Sequence, residues 1–324
     1  MLALLVLLCS CSDDSDTSPY SEILSKPPYA AITDSIKKEP NRDDLYFRRA
    51  ILLNQNNFPE PALEDFKKAW SLNKQESYAI GASNLLLAKN KEEAIDYMQK
   101  VLIEIPNSIL LRLTLAHAYD EQNKTDDALA VCHTILQQNP NHVSTLVLLA
   151  DLLQKKGDEA GAITALEKAR QLVPVDLDIS FKLAYLYAEN KNSKAIALAD
   201  SLIAKDTLHL YSQPYYVKGM YYANTGEKDK AIHAFDETIK MDYNNLNAYL
   251  EKGKVLLDQR KTAEALKTFQ LANTISPAFP DAYYWIGKCQ EAQGNQAEAK
   301  LSYEKAYGLD KTFTEAKEAA DKLK

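Results

Sequence analysis

The chain has 324 residues, a net charge of −7, 46% hydrophobic and 26% charged residues. This is the composition of a folded chain, and its acidity argues against nucleic acid as a principal partner, because neutralising phosphates needs a basic face. Only 9 glycines are present, and Ala, Leu, Lys and Glu are abundant, which favours helix over strand. At the N-terminus, Leu2 to Leu8 is an unbroken apolar run. It is too short to cross a bilayer, which takes ~20 residues, and suits the apolar region of a secretory signal.

The run ends in Leu8-Cys9-Ser10-Cys11, followed by Ser12-Asp13-Asp14-Ser15-Asp16. This resembles a bacterial lipobox, with Leu8 at −3, Ser10 at −1 and Cys11 as the lipidated first mature residue. Cys9 fits less well, because Leu8 would then fill the place of the small residue. The signal departs from the usual type in having no Lys or Arg before Leu8. The acidic stretch after Cys11 resembles the export tag of Bacteroidetes-type lipoproteins, without its usual Lys or Gln opening. The resemblance implies a signal peptide over 1–10 and attachment through lipid to the outer membrane, on its periplasmic side or at the cell surface. Residues 11–28 include Pro19, Pro27 and Pro28 among Ser and Asp, a composition that predicts a flexible tether. Tyr29, Ile32 and Ile36 recur at helical spacing and predict an N-terminal cap helix over 29–42.

Beyond residue 42 the chain repeats itself. Small residues recur twelve apart: Ala50 and Ala62, Ala82 and Ala94, Ala116 and Ala128, Ala150 and Ala162, Gly219 and Ala231, Gly253 and Ala265, Gly287 and Ala299. Ala184 and Ala195 are eleven apart. The first members mostly lie 34 residues apart. Two antiparallel helices that approach closely need a small residue on each where their axes cross. Polar turns such as Lys156-Gly157-Asp158, Thr225-Gly226-Glu227 and Gln293-Gly294-Asn295 separate the members. Pro106, Pro140, Pro174 and Pro277 close units, since proline cannot continue a helix.

This period, with a small residue at the eighth place, Ala at the twentieth, an aromatic near the twenty-fourth and Pro at the thirty-second, resembles the tetratricopeptide repeat. The implied fold is all-α: a right-handed α-solenoid of eight repeats, at 43–74, 75–108, 109–142, 143–176, 177–211, 212–245, 246–279 and 280–313. Residues 314–324 read as a polar C-terminal cap helix. In the repeat at 177–211 the turn is expected to be one residue short, and the connection at 206–214 suggests a bend or seam.

No catalytic constellation stands out. Cys132 occupies a packing place that Phe235, Phe269 or Tyr303 fills elsewhere, and Cys289 lies five repeats away, so both read as buried free thiols. His117, His133, His142, His209 and His233 do not pair at metal-ligand spacing. No metal, cofactor or enzymatic activity is expected. By resemblance, places 2, 5, 9, 12 and 13 of each repeat line a concave groove. Phe181, Tyr185, Tyr216, Met220 and Tyr284 are the large residues there, with Phe47 and Ile51 in the first repeat; the bland alternative is that the aromatics pack on neighbouring helices. Asn224, Lys254 and Lys288 hold places comparable to a clamp for a C-terminal carboxylate, with Asp258, Asp281 and Glu291 among them. The expected function is a lipid-anchored adaptor of the cell envelope that binds a protein or peptide. The alternatives are a chaperone-like holder of extended envelope clients and an enzyme acting through a shared site.

Overall fold

A computed structural model describes residues 19–323. The signal and lipidation readings, including Cys11, fall outside that range. The described residues form helices and no strand. They divide into two compact units, one up to Thr145 and one from Leu146.

In the N-terminal unit, α1 (Ser21–Leu24) and α2 (Ala30–Lys38) precede three helix pairs. These are α3 (Asp43–Gln55) with α4 (Pro59–Leu72), α5 (Glu76–Lys89) with α6 (Lys91–Glu104), and α7 (Ile109–Glu121) with α8 (Thr125–Gln138). The boundary falls in the first turn of α9 (Val143–Lys155). The C-terminal unit continues with α10 (Glu159–Leu172), α11 (Leu177–Glu189), α12 (Lys194–Lys205), α13 (Gln213–Thr225) and α14 (Lys228–Met241). It ends with α15 (Leu246–Asp258), α16 (Thr262–Ile275), α17 (Pro280–Ala292), α18 (Gln296–Leu309) and α19 (Thr314–Lys322). From α3 to α8 and from α11 to α18 each second helix packs on its own first helix, and α4, α6, α10, α12, α14 and α16 pack on the first helix that follows.

The small residues lie at these crossings. Every alanine of the twelve- and eleven-residue series is 0–1% exposed. Helices α6, α8, α10 and α16 each stop two residues before Pro106, Pro140, Pro174 and Pro277. Seven of the turns inside pairs hold one residue in the left-handed region: Asn57, Asn123, Gly157, Lys191, Gly226, Arg260 and Gly294. Glycine adopts that conformation freely, whereas a residue with a β-carbon is disfavoured there. Arg260→Gly is therefore expected to raise stability by up to about 1 kcal/mol in urea unfolding. Unchanged stability would show that the arginine side chain offsets the strain. The pair α5–α6 has a one-residue turn, Asn90, whose side chain caps α6 by accepting from the Glu92 and Glu93 amides at 3.0 and 3.2 Å.

A second complementarity follows from the sixteenth residue after each small one. Gly219, Gly253 and Gly287 are followed by Phe235, Phe269 and Tyr303, whose rings lie where a glycine β-carbon would stand. Ala82, Ala116 and Ala150 are followed by the slimmer Met98, Cys132 and Leu166. The first pair sets Phe66 after Ala50, and there Gly81 of α5 leaves the space for the ring. Glycine on one helix and an aromatic on the other keep the volume of the crossing constant.

Three expectations are revised. Residues 19–28, read from composition as tether, contain α1, and Leu24 is buried in a core with Tyr29, Leu53 and Phe66. Apolar Leu24 and Ile23, with Tyr20, outweigh the surrounding polar residues. The deletion in the fifth repeat does not shorten its turn, which spans four residues, 190–193. It takes two residues, about half a turn, from the start of α12, which begins one residue before Ala195, whereas the other second helices begin three before. No seam opens at 206–214: α13 packs on both α11 and α12, Pro214 is buried, and the Tyr211 amide donates to Asp206 Oδ2 at 2.8 Å. At the other end α19 covers the last pair, with Ala316, Ala320 and Leu323 against Tyr283, Ala299 and Tyr303.

Candidate functional site

First helices α11, α13, α15 and α17 lie side by side in the C-terminal unit. Side chains at equivalent places on them therefore share one surface, because each repeat restores the same helical phase.

Tyr185, Tyr216 and Met220 form the centre of this surface, all half-buried. Met220 and Tyr216 pack on the cluster of Ala231, Phe235, Ala248 and Val255, with the Tyr216 ring 5.7 Å from Phe235. Burial pushes the Tyr185 hydroxyl up to about 12, helped by its hydrogen bond to Glu189 and by the charges of Glu189 and Glu251. Burial likewise raises Tyr216, and Glu251, Tyr185 and Glu189 add to the effect. The two tyrosines and two carboxylates thus interact as one patch across α11, α13 and α15. Glu189 stands at place 13 of its repeat, where a charge could have been read. Glu251 stands at place 6, outside the places assigned to the groove, so the sequence pattern missed it.

The remaining candidates have partners within the fold. Phe181 turns to Tyr211 of the 206–212 connection, at 5.8 Å between ring centroids. Asn224 donates from Nδ2 to the Ala188 carbonyl at 3.1 Å, tying α13 to the end of α11. Lys254 pairs with Glu251 at 2.7 Å and lies over Trp285 at 5.4 Å. A clamp for a terminal carboxylate is therefore not assembled: its amide holds a backbone carbonyl and one of its ammonium groups holds a carboxylate. Tyr284 packs among Trp285, Tyr303 and Phe313 at 5.6, 5.5 and 5.0 Å. Lys288 lies over Tyr284 and Tyr303. In the N-terminal unit Phe47 packs between Phe66 and Tyr78 at 5.8 and 4.8 Å, while Ile51 is 36% exposed.

The surface is aromatic and acidic. Tyrosine faces attract cations, by ~0.5–1 kcal/mol when exposed and more when desolvated, and carboxylates beside them add charge complementarity. Cys132 and Cys289 are buried free thiols that burial pushes up to about 12. Among the described residues no group of His, Cys, Asp or Glu is placed to hold a metal, and no helix is long and apolar enough to cross a membrane.

Tetratricopeptide repeat family models match residues 85–152, 121–179, 216–278 and 280–313. Human anaphase-promoting complex subunit 7 is 21% identical over 290 residues, covering 86% of this chain and 49% of that protein. The TPR repeat-containing protein YpiA of Bacillus subtilis is 24% identical over 255 residues, covering 78% of this chain and 60% of that one. The chain thus spans half to three fifths of the length of these two relatives. Among solved structures, a tetratricopeptide repeat protein from Parabacteroides merdae matches with a TM-score of 0.52 at 15% identity, over 86% of this chain and 97% of that one. That likeness is one of fold. Stacked helix pairs with small residues at every crossing define a class of repeat scaffolds. The chain belongs to the tetratricopeptide repeat family, whose members are typically non-catalytic and mediate protein–protein interactions.

Proposed function

We propose that this chain is a non-catalytic adaptor that holds an extended protein or peptide segment along α11, α13 and α15. The observation that carries the reading is the patch of Tyr185, Tyr216 and Glu189, an aromatic surface with an exposed carboxylate, beside which Glu251 is paired with Lys254. Its chemistry suits a Lys or Arg side chain on the bound segment, the reverse of a carboxylate clamp. The sequence around Cys11 supports the further reading that the adaptor is lipid-anchored at an envelope membrane, facing the periplasm or the cell surface.

Photo-crosslinking tests the first part. A benzophenone amino acid in place of Tyr185, in intact cells, is expected to capture one major partner. Adding Glu189→Lys to the same chain should weaken capture about tenfold or more, because it sets like charge against the ligand. Glu189 is exposed, so the fold tolerates the change. Capture of many proteins at low yield, indifferent to Glu189, would point to a chaperone-like holder instead. For the anchor, Cys11→Ala is expected to release the protein from membranes; retention would refute the lipid reading.

A further inference from the structure

A cleft of about 650 Å³ lies between α10, α11 and α12, lined on its polar side by Glu167, Arg170, Tyr187 and Lys194. Leu183 and Leu198 form part of its apolar wall. Its volume falls within the ~300–1,000 Å³ of ligand pockets, which combine apolar walls with a few convergent polar groups.

Three of the polar groups satisfy one another. Glu167 accepts from the Tyr187 hydroxyl and from Lys194 Nζ, the latter at 2.7 Å, and the ammonium lies 5.5 Å from the centre of the Tyr187 ring. These bonds hold the Glu167 carboxyl below its ordinary range. Lys194 reaches the rim as the first residue of α12, the second helix that starts two residues late.

Arg170 is different. Its Nε is shielded from solvent and has no hydrogen-bond partner. The repeat makes this more pointed. Arg170 stands eight residues after the small residue of its helix; the same place holds Trp70, Leu102, Leu136, Ile203, Ile239 or Tyr307 in six other pairs and Asn273, whose Oδ1 likewise has no partner, in the seventh. An arginine thus stands where most pairs have an apolar residue, leaves a donor unsatisfied and lines an open cleft. A cation in the last turn of α10 complements the helix dipole, but that does not satisfy Nε; an acceptor bound to the guanidinium would use its remaining donors.

We propose that this cleft binds a carboxylate carried on an apolar group, with Arg170 as its partner. The guanidinium fork matches a carboxylate bidentately, Glu167 is already neutralised by Lys194, and Pro174 and Ala197, with Leu198 and Leu183 behind them, face the apolar portion. The site is separate from the patch around Tyr185 and does not depend on it.

The test uses the purified full chain with methyl-labelled leucines followed by NMR. Two probes are titrated: hexanoate, and the peptide acetyl-Ala-Leu-Asp-Leu-Ala-amide, with hexanol and the Asn counterpart of the peptide as uncharged controls. Saturable shifts of the Leu183 and Leu198 methyls with hexanoate alone identify a free acid as the ligand type. Shifts with the Asp peptide identify a polypeptide carboxylate. Arg170→Leu should weaken either by roughly ten- to hundredfold while unfolding at the same or higher urea concentration, since it restores the residue type of most other pairs. Shifts equal for charged and uncharged probes, no shifts at all, or undiminished binding by Arg170→Leu overturns the proposal.

Discussion

Arg49→Met is expected to destabilise the N-terminal unit by about 3–5 kcal/mol, the usual consequence of leaving one member of a buried ion pair alone. Arg49 and Asp65 are 8% and 5% exposed. They meet bidentately, Nε to Oδ2 at 2.7 Å and Nη2 to Oδ1 at 2.8 Å, and Nη1 donates to Thr33 Oγ1 at 3.0 Å. The pair therefore fastens α3 to α4 and to the cap helix α2. Burial raises the Asp65 carboxyl even with Arg49 opposing it. Without Arg49 the opposition is lost and the group rises further. The sign of the pH dependence follows. A raised folded-state value means that the ionised form costs stability, so the deficit of the variant is small below the unfolded value of ~3.9 and grows as pH rises through the folded value. Urea unfolding at pH 4 and pH 7 is expected to show the smaller deficit at pH 4. Arg49→Met combined with Asp65→Leu should recover most of the loss, because two apolar residues can replace a buried pair at little cost. A single variant losing under 1 kcal/mol at pH 7, or a pH-independent deficit, contradicts this account.

The parts of this fold that could be read in advance are those fixed by spacing. Small residues twelve apart, proline two residues beyond a helix end and glycine in a turn each reflect a constraint local to one pair. The signals that failed depend on partners far along the chain. Leu24 lies in a polar stretch, yet Phe66 and Leu53 bury it. Phe181 has the size and place of a groove residue, but the 206–212 connection turns Tyr211 onto it. Asn224 matches a clamp position, and only the structure shows the Ala188 carbonyl it holds. Lys191 and Arg260 adopt left-handed turns that their identity argues against; their place in the repeat, equivalent to Gly157, Gly226 and Gly294, was the better guide. An eleven-residue interval announced a deletion without saying which element absorbed it. The groove chemistry was half legible: its tyrosines were, whereas Glu251 emerged only when α15 was seen beside α13.

Gly253→Leu is expected to cost about 3 kcal/mol or more, and Gly253→Ala about 1–2 kcal/mol, although either residue has the better helix propensity by nearly ~1 kcal/mol. The sign rests on Phe269. A β-carbon on Gly253 would fall inside 3.0 Å of the ring carbons Cε1, Cζ and Cδ1. The ring cannot withdraw easily: Phe269 is 0% exposed, and Trp285 stacks on it at 5.9 Å. Overpacking of ~1–3 kcal/mol then exceeds the propensity gain. The repeat supplies the compensating change, since pairs with alanine at this place carry Met98, Cys132 or Leu166 opposite. Gly253→Ala with Phe269→Leu should therefore be more stable than the sum of the single changes predicts, by ~1 kcal/mol or more, as expected for residues in contact. The same cycle at Gly157 and Phe269 should be additive, because nothing lies within 4 Å of a β-carbon there. Additivity at both places would mean that glycine was kept at these crossings for some reason other than the facing ring.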